Sequence, residues 1–395
     1  MIISSKIKIN GSEESLDALE MTACKFAELF NFLAPIAWEM KDASRFKLHY
    51  RAYELIRKEF PDLPAQYVIT VIGKVSSSVK SAKTKQKQRN LENTFRAKKG
   101  KKLLKEVSCP KMKKSSVIVL DARLASLAET KAKITTTRGR FSYDLEIYPY
   151  VENLWPTRRS GCEVMKINGQ WYLSVGFDIS ESSQVSDSRV LGLDRGVNNM
   201  VVGSDNKFHS SKKLRKIKGN YQYKKSELQS KGTKSAKKKL VSIRRKENRF
   251  VRDVNHCLSK QLVNSGFGTI VLEKLNIKTQ KNLGKSFNRK LGNWSWNMLE
   301  QFLAYKAQIA GVKVKYVSPK CTSQRCSCCG HVHPSNRNGS KFKCKSCGFQ
   351  LHADLNAARN IAQIAYFGKS NLGRLLSISP IDGSFKKEPS NASTL

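Results

Sequence analysis

Two short stretches, Cys326-Ser-Cys-Cys329-Gly330 and Cys344-Lys-Ser-Cys347-Gly348, constrain this chain more than any other. Each C-x-x-C-G knuckle turns two thiolates toward one point, its glycine permitting the tight turn, and fourteen residues separate Cys329 from Cys344. Four thiolates at about 2.3 Å make a closed tetrahedral shell, so the spacing predicts a structural Zn2+ with no open position for water. The plainer readings, a redox dithiol or thiols paired by chance, leave the two matching glycines unexplained. Cys328, inside the first knuckle, and Cys321, before it, are the alternative ligands; the glycine after Cys329 favours Cys326 and Cys329 with Cys344 and Cys347. His331, His333 and His352 lie nearby, but four cysteines already fill the shell. The remaining cysteines, Cys24, Cys109, Cys162 and Cys257, are scattered, which suits a reducing compartment better than a disulfide framework.

Charge narrows the partners. The 395 residues hold 73 Lys and Arg against 31 Asp and Glu, a net +42, far beyond what solubility requires. Such a chain repels itself unless counter-charge is supplied, and nucleic acid carries that charge at high linear density. A membrane-surface protein would need an amphipathic anchor or lipidation signal, and neither is found. Met1 to Asn10 lacks the apolar core of a secretory signal. The longest apolar stretch, Phe26 to Trp38, is broken by Glu28 and Asn31 and is shorter than the roughly 20 residues that span a bilayer. The length allows two to four domains, and 39% hydrophobic residues suffice for buried cores.

Hydrophobic period divides the chain. Ile2 to Ile9 reads as a strand; from the N-cap Ser12, Leu16, Leu19, Ala23, Phe26, Phe30 and Leu33 then recur at helical spacing. A second helix is expected over Phe46 to Phe60 and a third from Pro64 toward Gln88. Short β-type runs follow at Ser116 to Leu120, Lys131 to Thr137, Arg140 to Ile147, Glu163 to Ile167 and Gln170 to Ile179, with Asn168-Gly169 as a hairpin turn. Together these predict a small β-barrel interrupted by helices, with the basic run Lys98 to Lys114 crossing between them as a solvated linker or a phosphate contact. After the polar linker 181–188, Val190 to Leu193 opens a new domain, and Met200 to Val202 and Lys207 to His209 form a meander about Ser204-Asp205-Asn206. Lys207 to Lys260 holds 19 Lys or Arg against Glu227, Glu247 and Asp253, and is read as helices lying along a phosphate backbone. A strand at Thr269 to Leu272, a helix at Trp294 to Ala310, a strand at Val312 to Val317 and a helix from Asp354 to Tyr366 complete the pattern. The aperiodic tail, Lys369 to Leu395, is expected to be disordered.

Asp194 and Glu273 each end an apolar strand, and Asp354 opens a helix seven residues past the last knuckle cysteine. Singly, each is explained as a cap, a turn residue or a surface acid; Asp354 suits the positive end of a helix dipole. As a trio in so cationic a chain they are what a pair of hard divalent ions requires beside a phosphodiester.

These residues also carry a family resemblance. Val190-Leu-Gly-Leu-Asp194-Arg-Gly-Val197, Ile270-Val-Leu-Glu273-Lys-Leu275, Thr322-Ser323 leading into the first knuckle, and Ala353-Asp354-Leu-Asn356-Ala-Ala358-Arg-Asn360-Ile361 resemble, in that order, the RuvC motifs and zinc ribbon of the TnpB family. Its members are transposon-associated RNA-guided DNA endonucleases related to type V CRISPR effectors. Arg249-Phe-Val-Arg-Asp-Val-Asn-His256 and Tyr305-Lys306-Ala307 extend the match, which covers about Val190 to Ile364; the N-terminal half resembles the family in layout. The resemblance implies a multidomain α+β chain. A wedge β-barrel (1–11 and 96–185) is interrupted by a helical recognition lobe (12–95). An RNase H-like RuvC nuclease (186–320 and 352–368) holds an inserted zinc ribbon (321–351) that binds the target nucleic acid, and the tail is 369–395.

It further implies that Asp194, Glu273 and Asp354 bind Mg2+ in a two-metal site and that Arg337, in the ribbon loop, approaches the scissile phosphate. The implied partners are a guide RNA and double-stranded target DNA, with specificity delegated to base pairing. The protein would be monomeric in its ribonucleoprotein, cytoplasmic and nucleoid-associated in a prokaryotic cell, with no membrane involved. Two alternatives stand beside this reading: a miniature type V CRISPR effector, separated from TnpB by the neighbouring DNA, and a nuclease-silent RNA-guided repressor, which has no need of an acid trio that repels phosphate.

Overall fold

The computed structural model describes residues 1–114, 117–275 and 295–367, which form two compact units, Met1–Ile179 and Ser180 onward. The tail 369–395, Ser116 and Trp294, for which the sequence carries expectations, lie outside the described residues.

The first unit joins β1 (Ile2–Asn10) to three helices, α1 (Glu13–Glu39), α2 (Arg45–Glu59) and α3 (Ala65–Lys98). Ser12 caps α1 by accepting the Ser15 N–H at 3.2 Å, with Glu13 and Glu14 in the first turn. α1 continues past Leu33, through Pro35, because its apolar face continues in the buried Ala34 and Ala37. α3 outruns its apolar stripe, which ends at the buried Val79. Its polar second half is braced by the basic segment, which turns back alongside it. Asn93 exchanges two hydrogen bonds with the Leu104 backbone (2.8 and 3.1 Å), Gln86 accepts from Val107 N–H at 2.6 Å, and Arg96 donates to the Lys102 carbonyl at 2.7 Å.

The strands that follow are β2 (Val117–Leu120), β3 (Ala125–Leu127), β4 (Lys131–Thr136), β5 (Gly139–Glu146), β6 (Arg158–Ile167) and β7 (Gln170–Asp178), with the one-turn helix α4 (Pro149–Glu152) before β6. They and β1 form one antiparallel sheet in the order β2-β6-β7-β1-β5-β4-β3. Asn168 and Gly169, at φ 57° and 84°, make the expected hairpin turn between β6 and β7. The sheet curls until it is nearly closed: Arg158, opening β6, donates to the carbonyl of Leu127, ending β3, at 3.2 Å. Phe26, Tyr67, Ile134, Leu173 and Phe177 belong to the single core that unites helices and sheet.

The second unit is built on β8 (Val190–Asp194), β9 (Asn199–Gly203), β10 (Phe208–Ser210), β11 (Thr269–Glu273) and β12 (Lys313–Val317), ordered β10-β9-β8-β11-β12. β8, β11 and β12 are parallel; β9 and β10 are antiparallel. β8 and β11, parallel and buried on both faces, explain the unbroken apolar runs, whereas the edge strand β12 is largely exposed. Leu191, Leu193, Ile270 and Leu272 face a core shared with α6 (Lys234–Val263) and α7 (Trp296–Ile309), while Val190 and Val271 face α8 (Ala353–Phe367). α5 (Lys212–Lys231) precedes α6 in a basic hairpin whose tip buries little beyond Ala236. Between β12 and α8 lies a three-stranded ribbon, β13 (Arg337–Asn338), β14 (Lys341–Lys343) and β15 (Gln350–His352). Among the described residues no helix is long and apolar enough to cross a membrane.

Candidate metal centres

The ribbon's knuckles are built alike. Gly330 and Gly348 take φ of 78° and 72° and return their N–H groups to the carbonyls of Cys326 and Cys344 at 3.0 and 3.1 Å. The four Sγ atoms of Cys326, Cys329, Cys344 and Cys347 all lie within 4.8 Å of one another, with Cys326 to Cys347 at 3.8 Å and Cys329 to Cys344 at 3.5 Å. A tetrahedron with arms of about 2.3 Å has edges of about 3.8 Å, so the sulfurs are spaced for structural zinc. Cys328 is exposed and stands outside this group, as does Cys321. The histidines stand outside it too; His331 and His333 stack on each other at 6.1 Å. Burial pushes the Cys326 thiol up, whereas for Cys347 the Phe349 N–H and the sister sulfurs outweigh burial and bring it down to about 7.

One face of α8 is bolted to the first knuckle. Asn356 accepts from Ser327 N–H at 2.9 Å and donates to the Arg325 carbonyl at 2.7 Å; Asn360 donates to the carbonyls of Thr322 and Arg325 at 2.9 and 2.7 Å; Gln363 donates to the Ser327 carbonyl at 2.9 Å. Residues 356, 360 and 363 recur at helical spacing, and both asparagines are fully buried. The ribbon and the helix that carries Asp354 are therefore one rigid piece.

Asp194 and Glu273 end adjacent parallel strands whose register pairs Leu193 with Leu272. Asp354 occupies the first turn of α8, which crosses β8 so closely that only glycine fits at position 192, where a Cβ would lie 2.2 Å from the Ala358 carbonyl oxygen. Glu273 and Asp354 thus lie near enough to Asp194, at the carboxyl ends of the strands, for their charges to act on it. Asp354 accepts from Arg337 Nη2 at 3.1 Å and Asn199 Nδ2 at 3.3 Å, and Glu273 accepts from the Thr322 hydroxyl at 2.5 Å. They are not as tightly clustered as the cysteines. Burial, and then the charges of Glu273 and Asp354, push Asp194 up to about 7 against the opposing pull of Arg337 and Arg195. Burial likewise raises Glu273, while Thr322 and the same two arginines lower it. A half-buried oxygen donor set in which Asp194 and Glu273 resist ionisation fits a hard divalent cation, which would relieve the repulsion. Sequence reasoning assigned no role to Asn199, Thr322, Asn356 or Asn360. Asn199 and Thr322 hold the acids and the two asparagines of α8 hold the knuckle; their local signal was place, Thr322, Asn356 and Asn360 within the motif stretches and Asn199 just after the first.

Residues 174–283 match the family model OrfB_IS605, described as "probable transposase", and residues 296–361 match that of the Cas12f1-like TNB domain. The CRISPR-associated endodeoxyribonuclease Cas12f1 of Sulfoacidibacillus thermotolerans is 34% identical over 215 residues, 49% of this chain and 50% of that protein. InsQ of Escherichia coli, provisionally named an RNA-guided DNA endonuclease, is 30% identical over 224 residues, 49% and 53% of the two chains. A TnpB-like protein of Methanocaldococcus jannaschii is 32% identical over 159 residues, 38% and 56%. The chain spans about half the length of these curated relatives. The mini-RNA-guided endonuclease CRISPR-Cas_phi3 shares the fold, with a TM-score of 0.59 over 93% of both chains at 12% identity. The resemblance to TnpB read from the motifs is borne out by these relatives, and the mixed α/β fold resembles that of the Cas12 effectors.

Proposed function

We propose that this chain is an RNA-guided DNA endonuclease of the TnpB type, in which a RuvC site hydrolyses phosphodiesters of DNA matched to a transposon-derived guide RNA. The observation that carries the reading is the meeting of Asp194, Glu273 and Asp354, from β8, β11 and α8, in surroundings that push Asp194 up to about 7. The parallel β8-β11-β12 core flanked by the antiparallel β9 and β10 supports an RNase H-like RuvC domain. The nearly closed sheet with its three helices supports a wedge barrel and recognition lobe, and the relatives' names support nuclease activity on DNA with RNA guidance.

Asp194, Glu273 and Asp354 would hold Mg2+, and Cys326, Cys329, Cys344 and Cys347 would hold structural Zn2+. When bound, divalent ions supply an activated water and charge neutralisation at the phosphate. Thr322 and Asn199 orient two of the carboxylates, and Arg337, paired with Asp354, is a cation within reach of a phosphate brought to the same edge. The cationic faces of α5 and α6 would follow a nucleic-acid backbone; inside that hairpin Lys225 is already paired with Glu247 at 2.6 Å.

The test is to sequence RNA that copurifies with the protein and to challenge the complex with a plasmid library bearing the matching target, with Mg2+ and with EDTA. Mg2+-dependent cleavage that Asp194→Ala abolishes while target capture persists is the expected result. Cleavage retained by Asp194→Ala refutes the site assignment, and capture without cleavage by the parent leaves the repressor reading.

A further inference from the structure

We propose that Arg195 is a positioning residue for the acid site, a buried guanidinium that ties the end of β11, and with it Glu273, to Asp194 through Glu300 and Trp296 of α7. The inference rests on the nuclease reading above. Arg195 follows Asp194 directly, and its side chain is only 2% exposed, where an arginine is ordinarily solvated. Its Nη2 donates to the Glu273 carbonyl at 2.6 Å, its Nη1 to Glu300 Oε2 at 2.8 Å, and its guanidinium lies 5.8 Å from the centroid of the buried Trp296 ring. The pairing of β8 with β11 ends at Leu193 and Leu272, and the guanidinium donates to the next carbonyl, that of Glu273. Glu300 also faces Tyr316 of β12, so one carboxylate joins the loop after β8, through Arg195, to the third parallel strand.

Stability alone does not account for this arrangement. Burying a guanidinium carries a desolvation penalty, and an apolar side chain of similar volume serves packing as well or better. What the planar fork offers is orientation: two donors at a set angle, one on the main chain of Glu273 and one on a fixed anion. Among the described residues Arg195 Nε is buried without a hydrogen-bond partner, so the guanidinium is placed for its two terminal nitrogens and not for full satisfaction. Because it holds the Glu273 backbone and not a reacting atom, its effect would be on how the acids receive metal.

The experiment compares the full-length parent with Arg195→Lys, Glu300→Gln and Asp194→Ala. It measures Mn2+ binding by electron paramagnetic resonance, zinc content, and thermal unfolding without added divalent ion. Arg195→Lys keeps the charge and loses the fork; Glu300→Gln keeps the shape and loses the anion. Both should raise the Mn2+ concentration at half-saturation by about 10-fold or more, the usual scale for residues that orient metal ligands, with zinc content unchanged. A purely structural role would lower the unfolding temperature without moving Mn2+ half-saturation, and that result overturns the proposal. If Asp194→Ala binds Mn2+ like the parent, the acid-site reading itself fails and the positioning role falls with it. If Asp194→Ala loses the ion while Arg195→Lys and Glu300→Gln bind as the parent does, only the positioning role is overturned.

Discussion

Adding one methyl group at position 192 should separate α8 from the sheet. A Cβ on Gly192 would stand 2.2 Å from the Ala358 oxygen, 2.5 Å from the Ala362 nitrogen and 2.9 Å from the Ala362 Cβ. Two of these are backbone atoms of one helix, so no side-chain rotation relieves the clash. Ordinary contact is roughly 3.5 Å, so α8 must retreat by about 1 Å. Overpacking of this kind costs about 1–3 kcal/mol. At about 2–4 °C per kcal/mol for a unit of this size, Gly192→Ala should lower the unfolding temperature by about 2–12 °C. Asp354 lies one turn before Ala358 and moves with the helix, and a misplacement of about 1 Å at a reacting centre can cost about 100-fold in rate. Calorimetry and single-turnover cleavage at saturating Mg2+ measure the two effects. Gly219→Ala on α5, where a Cβ meets nothing within 4 Å, is the control and should be neutral or slightly stabilising. If Gly192→Ala melts and cleaves like the parent, α8 is not seated on β8 as described and the delivery of Asp354 by that contact is refuted.

Three further outcomes follow from the same geometry. Cys344→Ser should lower bound zinc, measured by elemental analysis of the purified protein, whereas Cys328→Ser should not; equal losses would mean a different ligand set. Asn360→Ala removes a donor from the Thr322 carbonyl in a fully buried position and should cost about 1–3 kcal/mol locally, speeding zinc loss to a chelator by roughly tenfold or more. Asp194 is raised from its ordinary 3.8 to about 7, so the native state binds its proton more tightly than the unfolded chain does. Its contribution to stability is therefore full below pH 3.8 and is lost as pH rises through about 7. Thermal melts without added divalent ions should show this fall, and Asp194→Asn should flatten it; identical profiles would contradict the burial assigned to Asp194.

The parts of the molecule legible from the chain are those whose cause is local. The knuckles need only their spacing and two glycines, and the Asn168-Gly169 hairpin needs two residues able to take positive φ. Strands β8 and β11 were visible as apolar runs because both faces are covered. Where support comes from afar, the reading fell short. The apolar period of α3 fades after Val79, yet the helix reaches Lys98 because residues 102–107 return to bond its polar side. The strand Ala125–Leu127 is too short to show a period, and β6 begins at Arg158, where no apolar run marks it. In the acid site the residue types were readable. The partners of Asp354 and Glu273, namely Arg337, Asn199 and Thr322, are up to 155 residues distant, and no spacing rule reaches so far.

The wide separation of the acids also sets a timetable. Asp194 and Asp354 are 160 positions apart, with the four-cysteine ribbon made just before the second. At about 5–20 residues per second, a ribosome needs roughly 8–32 s to pass from one to the other. Throughout that interval the face of β8 around Gly192 awaits its helix and the nascent chain offers an incomplete carboxylate set. The acid trio is thus completed late in synthesis, after the cationic surfaces of α5 and α6 have already emerged.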